Sequence, residues 1–128
     1  MEKTNIYGYL KNRTVLSIMK RFGSVCRLKP EGAKAYIQYH AQVHKDRPEV
    51  GEMIKKCNIR NYSIYHKDGI VFSYFEYVGK DYEKDMARMA ADPKTQEWWA
   101  LVKPLMDPLP TRADGEWWAS MDEIFRLD

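Results

Sequence analysis

Tyr36 and His40 stand four residues apart in the run EGAKAYIQYHAQVH, a spacing that sets both on one helical face, one turn from each other. An imidazole with an ordinary pKa near ~6.5 both gives and takes a proton at neutral pH. The pair therefore offers general acid–base chemistry. A histidine seen in isolation is more often a hydrogen-bonded residue at the core edge, so the tyrosine beside it matters. His40 and His44 also have the spacing of a helical metal pair. Neither a third ligand nor a general-base glutamate stands where a zincin would place it, so no metal is expected. His66 falls at a hairpin turn and reads as solvated. Tyr62 and Tyr65 are an odd number of residues apart on a strand, so they lie on opposite faces. One of them should face the helices and any pocket between sheet and helix; β-propensity alone would also put tyrosines here.

The tetrapeptide EWWA occurs at 97–100 and again at 116–119, and the two copies hold all four tryptophans. Their flanks, TQEWWALV and DGEWWASM, share nothing, so this is no internal repeat. In a helix, adjacent side chains point about 100° apart, so Trp98 and Trp99 cannot both sit centrally in one core. One of them should face a cavity, a groove or a partner chain. All four could equally serve as core and interface anchors. Aromatic residues reach 13% of the chain, many of them apolar on one side and polar on the other. Such groups suit amphiphilic ligands such as sugars, whose pyranose rings present an apolar face to an indole.

The elements that must position these groups can be read in order. Phe22, Ser24, Cys26 and Leu28 alternate with Gly23, Val25 and Arg27, giving a strand that ends at Lys29-Pro30. A helix follows, with Tyr36, Ile37, His40, Val43 and His44 on one face, until the run HKDR interrupts it. Pro48 opens a second helix carrying Val50, Met53, Ile54 and Cys57. Two aromatic and β-branched runs around Asp68-Gly69 predict a hairpin. A helical region begins near Asp81, with Tyr82, Met86, Met89 and Ala90 on one stripe. Asp92-Pro93 starts another, bearing Trp98, Trp99, Val102 and Leu105. PLMDPLPTRADG reads as a proline-rich loop, and MDEIFRLD as a closing strand. The order β-α-β-β-α-β predicts an α+β, ferredoxin-like (split β-α-β) sheet with its helices on one face. The other face is left bare, so a homodimer is expected.

The chain has 128 residues and fits one domain, residues 20–128, behind an N-terminal extension of residues 1–19. The net charge of +3 is mild and no block of like charges occurs, so no nucleic-acid partner is indicated. No apolar run approaches the ~18 residues of a membrane span. The start MEKTNIYGYLKNRTVLSIMK lacks the features of a signal peptide. Cys26 and Cys57 lack metal-type spacing and read as reduced core residues. A cytoplasmic protein is expected.

Together, RFGSVCRLKPEGAKAYIQYH, NIRNYSIY, FSYFEYV, DPKTQEWWALVKPLM and EWWASMDEIFRLD make the chain from about Lys20 to Asp128 resemble the L-rhamnose mutarotase family. The resemblance implies a dimeric ferredoxin-like α/β barrel. It implies an isomerase that interconverts the α and β anomers of a 6-deoxy-hexose without a cofactor. By motif, His40 would be the proton donor, and Tyr36, Tyr62, Trp98 and Trp99 would bind the sugar. The second EWWA would be a rim or interface element. The sequence departs from the family's pattern in HAQVHKDRPEV. There His44 stands where a tryptophan is expected, and a few extra residues precede Pro48. L-rhamnose is the first substrate to expect and L-fucose the second. Two readings from other classes are a non-catalytic carbohydrate-binding regulatory module on the same dimeric fold and a barrel monooxygenase with haem or redox chemistry.

Overall fold

Strand β1 (Lys20–Leu28) buries Cys26 and Leu28, and Lys29-Pro30 ends it as the sequence predicts. The structure is a computed structural model that describes residues 19–128. The expected extension therefore lies outside the described residues, apart from its last position. A short 3-10 turn, Pro30–Gly32, leads into helix α1 (Ala33–Asp46). This helix is not interrupted at His44-Lys45-Asp46. It runs through them and breaks only at Arg47, where φ is −141° and ψ is 64°. The cause is Pro48, whose ring excludes the α conformation from the residue before it. The expected insertion is thus one more helical turn. The face of α1 also differs from the expectation. Tyr36 is buried and His40 and Val43 are half-buried, but Ile37 is 46% exposed and His44 is exposed. The inward stripe is the narrow i, i+4, i+7 row, and Ile37 and His44 sit one step round from it.

Helix α2 (Pro48–Lys56) buries Val50, and Cys57 after it is fully buried. Strands β2 (Ile59–Lys67) and β3 (Ile70–Tyr77) form the hairpin. Asp68 and Gly69 adopt φ of 50° and 80°, the left-handed pair a two-residue turn needs. Helix α3 (Tyr82–Ala90) is capped by Asp81, which accepts from the Lys84 N–H. Helix α4 (Pro93–Val102) is capped by Asp92, which accepts from the Thr95 N–H at 2.9 Å. Asp92 caps where the sequence places a helix start, and the helical region expected near Asp81 begins with Asp81 as its cap.

The sheet runs β2-β3-β1-β4, all antiparallel, with β5 on the same edge of β1. This is the split β-α-β order, with the fourth strand in two pieces. The first piece, β4 (Met106–Asp107), lies inside the stretch read as a loop and pairs with Arg27 and Leu28. The second, β5 (Ala119–Met121), pairs with Gly23, Ser24 and Val25. The predicted closing strand therefore ends at Met121, and residues 122–128 carry no regular structure. Its alternating apolar side chains find no face to cover among the described residues: Ile124, Phe125 and Leu127 are 95%, 79% and 85% exposed.

Helices α1, α2 and α4 close the inner face of the sheet over a core of Cys26, Leu28, Tyr36, Val50, Val71, Trp98, Val102 and Met106. On the outer face Tyr65, Ile70, Phe72 and Met121 remain exposed. Among the described residues no helix is long and apolar enough to cross a membrane.

Candidate active site

The inner row of β3 is Val71, Ser73, Phe75 and Tyr77, which pair with Cys26, Ser24, Phe22 and Lys20 of β1. Simple alternation along β2 from the buried Ile59 would turn Tyr62 outward. It does not, because β2 carries one extra residue between Arg60 and Ser63, while β3 spans Glu76 to Tyr74. Asn61 absorbs the bulge with φ of 52°. Its side chain is tied outward by donating to Glu76 Oε1 at 2.7 Å. Parity is thereby reset, and Tyr62 packs inward on Phe75 with ring centroids 5.4 Å apart. Tyr65 packs on Phe72 of the outer face, so the two tyrosines do lie on opposite sides. The Tyr62 residue is partly open, yet burial of its hydroxyl pushes its pKa up to about 12.

On α1, the rings of Tyr36 and His40 are tilted together, centroids 4.2 Å apart. Trp98 of α4 meets His40 edge-on at 5.0 Å. His40 Nδ1 lies 2.8 Å from the Tyr36 backbone oxygen. A carbonyl only accepts, so Nδ1 carries the hydrogen and donates it. In the neutral ring the free lone pair is then on Nε2. Burial lowers the His40 pKa below its ordinary value, against a smaller upward pull from that same carbonyl. Burial pushes the Tyr36 hydroxyl well above the usual tyrosine range, and the charge that Tyr62 would carry on ionising adds to the shift. Tyr36, His40 and Trp98 thus pack ring to ring between α1 and α4, and Tyr62 of β2 lies near enough for its charge to act on the Tyr36 hydroxyl. Hydroxyls, an imidazole and an indole are groups that can hydrogen-bond uncharged, hydroxylated molecules and exchange protons with them.

Trp99 does not join this cluster. It packs beside the core with the Lys103 ammonium 4.6 Å from its ring, and the same cation lies 5.2 Å from Trp117. The two EWWA copies are put to different uses. Glu97 of the first pairs with Arg47 at 3.7 Å and Lys94 at 3.6 Å. Glu116 of the second organises its own loop, accepting from the Ala113 N–H at 3.0 Å, the Ser120 N–H at 3.3 Å and the Ser120 hydroxyl. Those bonds, the Ser120 hydroxyl first, hold its carboxyl below the usual range. His44 lies away from His40, with Gly51 of α2 beside its ring, and the two imidazoles do not converge. Among the described residues no three His, Cys, Asp or Glu side chains gather as a metal site.

Sequence reasoning missed three contributors. Phe75, which backs Tyr62, follows only from cross-strand register. Lys103 stands four residues after Trp99, a helical spacing that could have been read. Tyr39 meets Trp98 edge-on at 6.4 Å and opens on an outer groove of about 430 Å³ between α1 and α4, lined also by Gln38, Gln42 and Arg47. Neither Tyr36 nor His40 lines that groove, so it neighbours the histidine cluster and is not its seat.

A ferredoxin-like sheet with a histidine, tyrosines and a tryptophan gathered beneath its helices makes an α+β protein with a candidate acid–base site. The family model for L-rhamnose mutarotase matches residues 21–127. An L-rhamnose mutarotase from Ligilactobacillus salivarius is 33% identical over 110 residues, 84% of this chain and 97% of that protein. The chain therefore belongs to the L-rhamnose mutarotase family, isomerases that interconvert the anomers of a sugar. An L-fucose mutarotase from Xanthomonas campestris is 34% identical over 82 residues, covering 62% of this chain and 65% of that protein. The crystal structure of an L-rhamnose mutarotase from Formosa agariphila has the same fold, with a TM-score of 0.61 at 18% identity over 85% of this chain and 99% of that one.

Proposed function

We propose that this protein interconverts the α and β anomers of L-rhamnose in the cytoplasm, as a homodimer, with His40 as its proton donor. Tyr36, Tyr62 and Trp98 surround the sugar in this reading, and Trp99 forms an outer wall held by Lys103. The observation that carries it is the convergence on His40. An imidazole with one nitrogen pinned and the other free packs between the Tyr36 ring and the Trp98 indole, Tyr62 lies near Tyr36, and no charged side chain contributes to the His40 shift.

That set matches what mutarotation needs. Ring opening takes the proton from the anomeric hydroxyl and gives one to the ring oxygen. Rotation of the freed aldehyde and closure on its other face yield the second anomer. No electrons or groups are transferred, and acid–base assistance supplies about 10²–10⁴-fold. Trp98 offers the apolar side that a 6-deoxy sugar presents through its methyl and C–H face. The dimer is supported by the exposed outer sheet face and by the apolar tail of residues 122–128. The two cysteines are buried, unpaired thiols, which suits a reducing compartment.

L-fucose is the second substrate, favoured by the L-fucose mutarotase relative. NMR saturation transfer between the α and β anomeric protons, run on each sugar, decides. Wild-type protein should accelerate exchange on L-rhamnose and His40→Ala should not. Acceleration of L-fucose alone would replace the substrate. No acceleration of either sugar by folded protein would end the proposal.

A further inference from the structure

We propose that the groove between α1 and α4 is a second binding site, for a neutral sugar, and that it shares the Trp98 indole with the His40 cluster. The site stands on its own geometry; only the choice of L-rhamnose as its first probe rests on the mutarotase reading.

Three observations point to it. The first is shape. The groove measures about 430 Å³, within the roughly 300–1,000 Å³ of small-ligand sites. Its apolar lining is the buried Trp98 with Val43, and Tyr39 stands edge-on to the indole at 6.4 Å.

The second is the kind of polar group beside that wall. Gln38 and Gln42 lie four residues apart on one face of α1, and both line the groove. Among the described residues neither carboxamide has a hydrogen-bond partner. A carboxamide offers two donor hydrogens and an acceptor oxygen. That is the complement of a vicinal diol, whose hydroxyls each give and take a hydrogen bond. The charges present offset one another: Asp46 and Arg47 both line the groove, and the Arg47 guanidinium lies 3.7 Å from Glu97. Neither an anion nor a cation is favoured by such a balance. An aromatic wall beside uncharged amides takes a sugar ring, its C–H face to the indole and its hydroxyls to the amides.

The third is where the groove ends. Asp46 closes the extra turn of α1 and Arg47 follows it, in the stretch where this sequence departs from the family's pattern. That turn makes one end of the groove and is tied to α4 through Arg47 and Glu97. The site is therefore built by this chain's own departure, outside the histidine cluster. Trp98 connects the two, because it also meets His40 edge-on at 5.0 Å.

The test is heteronuclear NMR of the full chain, titrated with L-rhamnose and, in parallel, with L-fucose. The side-chain amide signals of Gln38 and Gln42 should shift saturably with a midpoint of their own. The His40 imidazole signals should follow a different midpoint, and the Trp98 indole N–H should follow both. Gln42→Leu, at an exposed helical position, should weaken the glutamine-site curve about tenfold or more, since the hydrogen bonds of one amide are lost. It should leave the His40 curve and kcat for anomer exchange unchanged. Gln38→Leu makes the same measurement if the first variant fails to fold. Inorganic phosphate should move neither amide. Glutamine signals unmoved by either sugar, moved by phosphate alone, or sharing a single midpoint with His40 would each overturn the proposal, and so would wild-type binding in the leucine variants. If the wild-type protein still accelerates anomer exchange, the mutarotase reading survives that failure. Glutamine signals that respond to sugar in a protein without anomer exchange would end the mutarotase reading and keep the groove.

Discussion

An alanine at Gly79 should destabilise this protein, although Gly79 needs no positive φ and touches no ligand. A Cβ there would lie 2.6 Å from Tyr77 Cζ and 2.8 Å from Asn58 Nδ2, and closer still to the Tyr77 hydroxyl. Neither neighbour can yield cheaply. Tyr77 is fully buried; its hydroxyl donates to Asp85 Oδ2 at 2.6 Å and accepts from the Asp81 N–H at 3.0 Å. Asn58 Nδ2 donates to the same Asp85 oxygen at 2.9 Å. Forcing a methyl into a packed site costs about 1–3 kcal/mol. If the ring swings away instead, it gives up a hydrogen bond to a charged group, about 1.5–3 kcal/mol. Gly→Ala recovers about 0.4–1 kcal/mol through the unfolded chain. The cheaper route, less that recovery, sets the outcome, so a net loss of about 1 kcal/mol is expected. At roughly 3–6 °C per kcal/mol for a domain of this size, Tm falls by about 3–6 °C. The control is Gly51→Ala in α2. There the new Cβ meets only the His44 ring at 3.6 and 3.7 Å, ordinary contact, and helix propensity should stabilise by about 0.5–1 kcal/mol. Urea unfolding of both variants is the assay. A Gly79→Ala midpoint equal to wild type would refute the packing argument, and so would equal signs for the two glycines. The site is also touched. Tyr77 meets Tyr82 at 5.1 Å, Tyr82 stacks on Phe22 at 4.6 Å, Phe22 on Phe75 at 5.0 Å, and Phe75 backs Tyr62. A displaced Tyr77 should therefore raise KM as well.

His40 has its pKa lowered by burial, so the unfolded chain binds the proton more readily than the folded one. Its contribution to stability is present above the ordinary value of 6.5 and lost as pH falls below it. A rate that depends on the protonation of His40 should change over the same acid side, and a pH profile flat through it would remove His40 from the proton transfer. Tyr62 and Tyr77 are both raised from 10 to about 12, so stability should decline as pH climbs through that interval, seen as alkaline unfolding by circular dichroism. Trp98→Ala should raise KM for L-rhamnose more than Trp99→Ala, because Trp98 touches His40 and Trp99 stacks with Lys103; equal effects would put both indoles on the sugar. In the proposed homodimer, Phe72→Glu on the outer face away from His40 should halve the mass seen by sedimentation, and a dimer that survives it would move the interface elsewhere.

Most of the fold was legible because each element carries its own local signal. The turn at Asp68-Gly69, the caps at Asp81 and Asp92, and the prolines at 48 and 93 all depend on residues within a few positions of one another. The last strand was misread for the opposite reason. Alternation in MDEIFRLD states a preference for β structure, but a strand needs an edge and a face, and the described residues supply them only as far as Met121. The inward aim of Tyr62 was half legible. Its opposition to Tyr65 follows from parity, but which tyrosine faces inward depends on a bulge at Asn61 that alternation cannot show. The clustering of Tyr36, His40 and Trp98 was legible in part, since helical spacing joins the first two and only tertiary packing adds the third.

The two copies of EWWA show why a short motif does not carry its role with it. The first lies in α4, so its tryptophans diverge: Trp98 turns to His40, and Trp99 turns to Lys103. The second lies outside any helix, and Trp117 donates its indole N–H to Met106 Sδ at 3.3 Å and shares the Lys103 cation with Trp99. Lys103 thus joins one tryptophan from each copy. It stands at the end of α4, where the chain turns toward β4. Removing its charge should loosen Trp99 and Trp117 together while leaving Trp98 and His40 in contact. Lys103→Met keeps the stem and loses the cation, so its cost should appear as about 0.5–2 kcal/mol of stability, the worth of a cation–π contact, with kcat unchanged. A fall in kcat without a fall in stability would instead place Trp99 on the substrate, and the outer-wall role assigned to it would have to be given up.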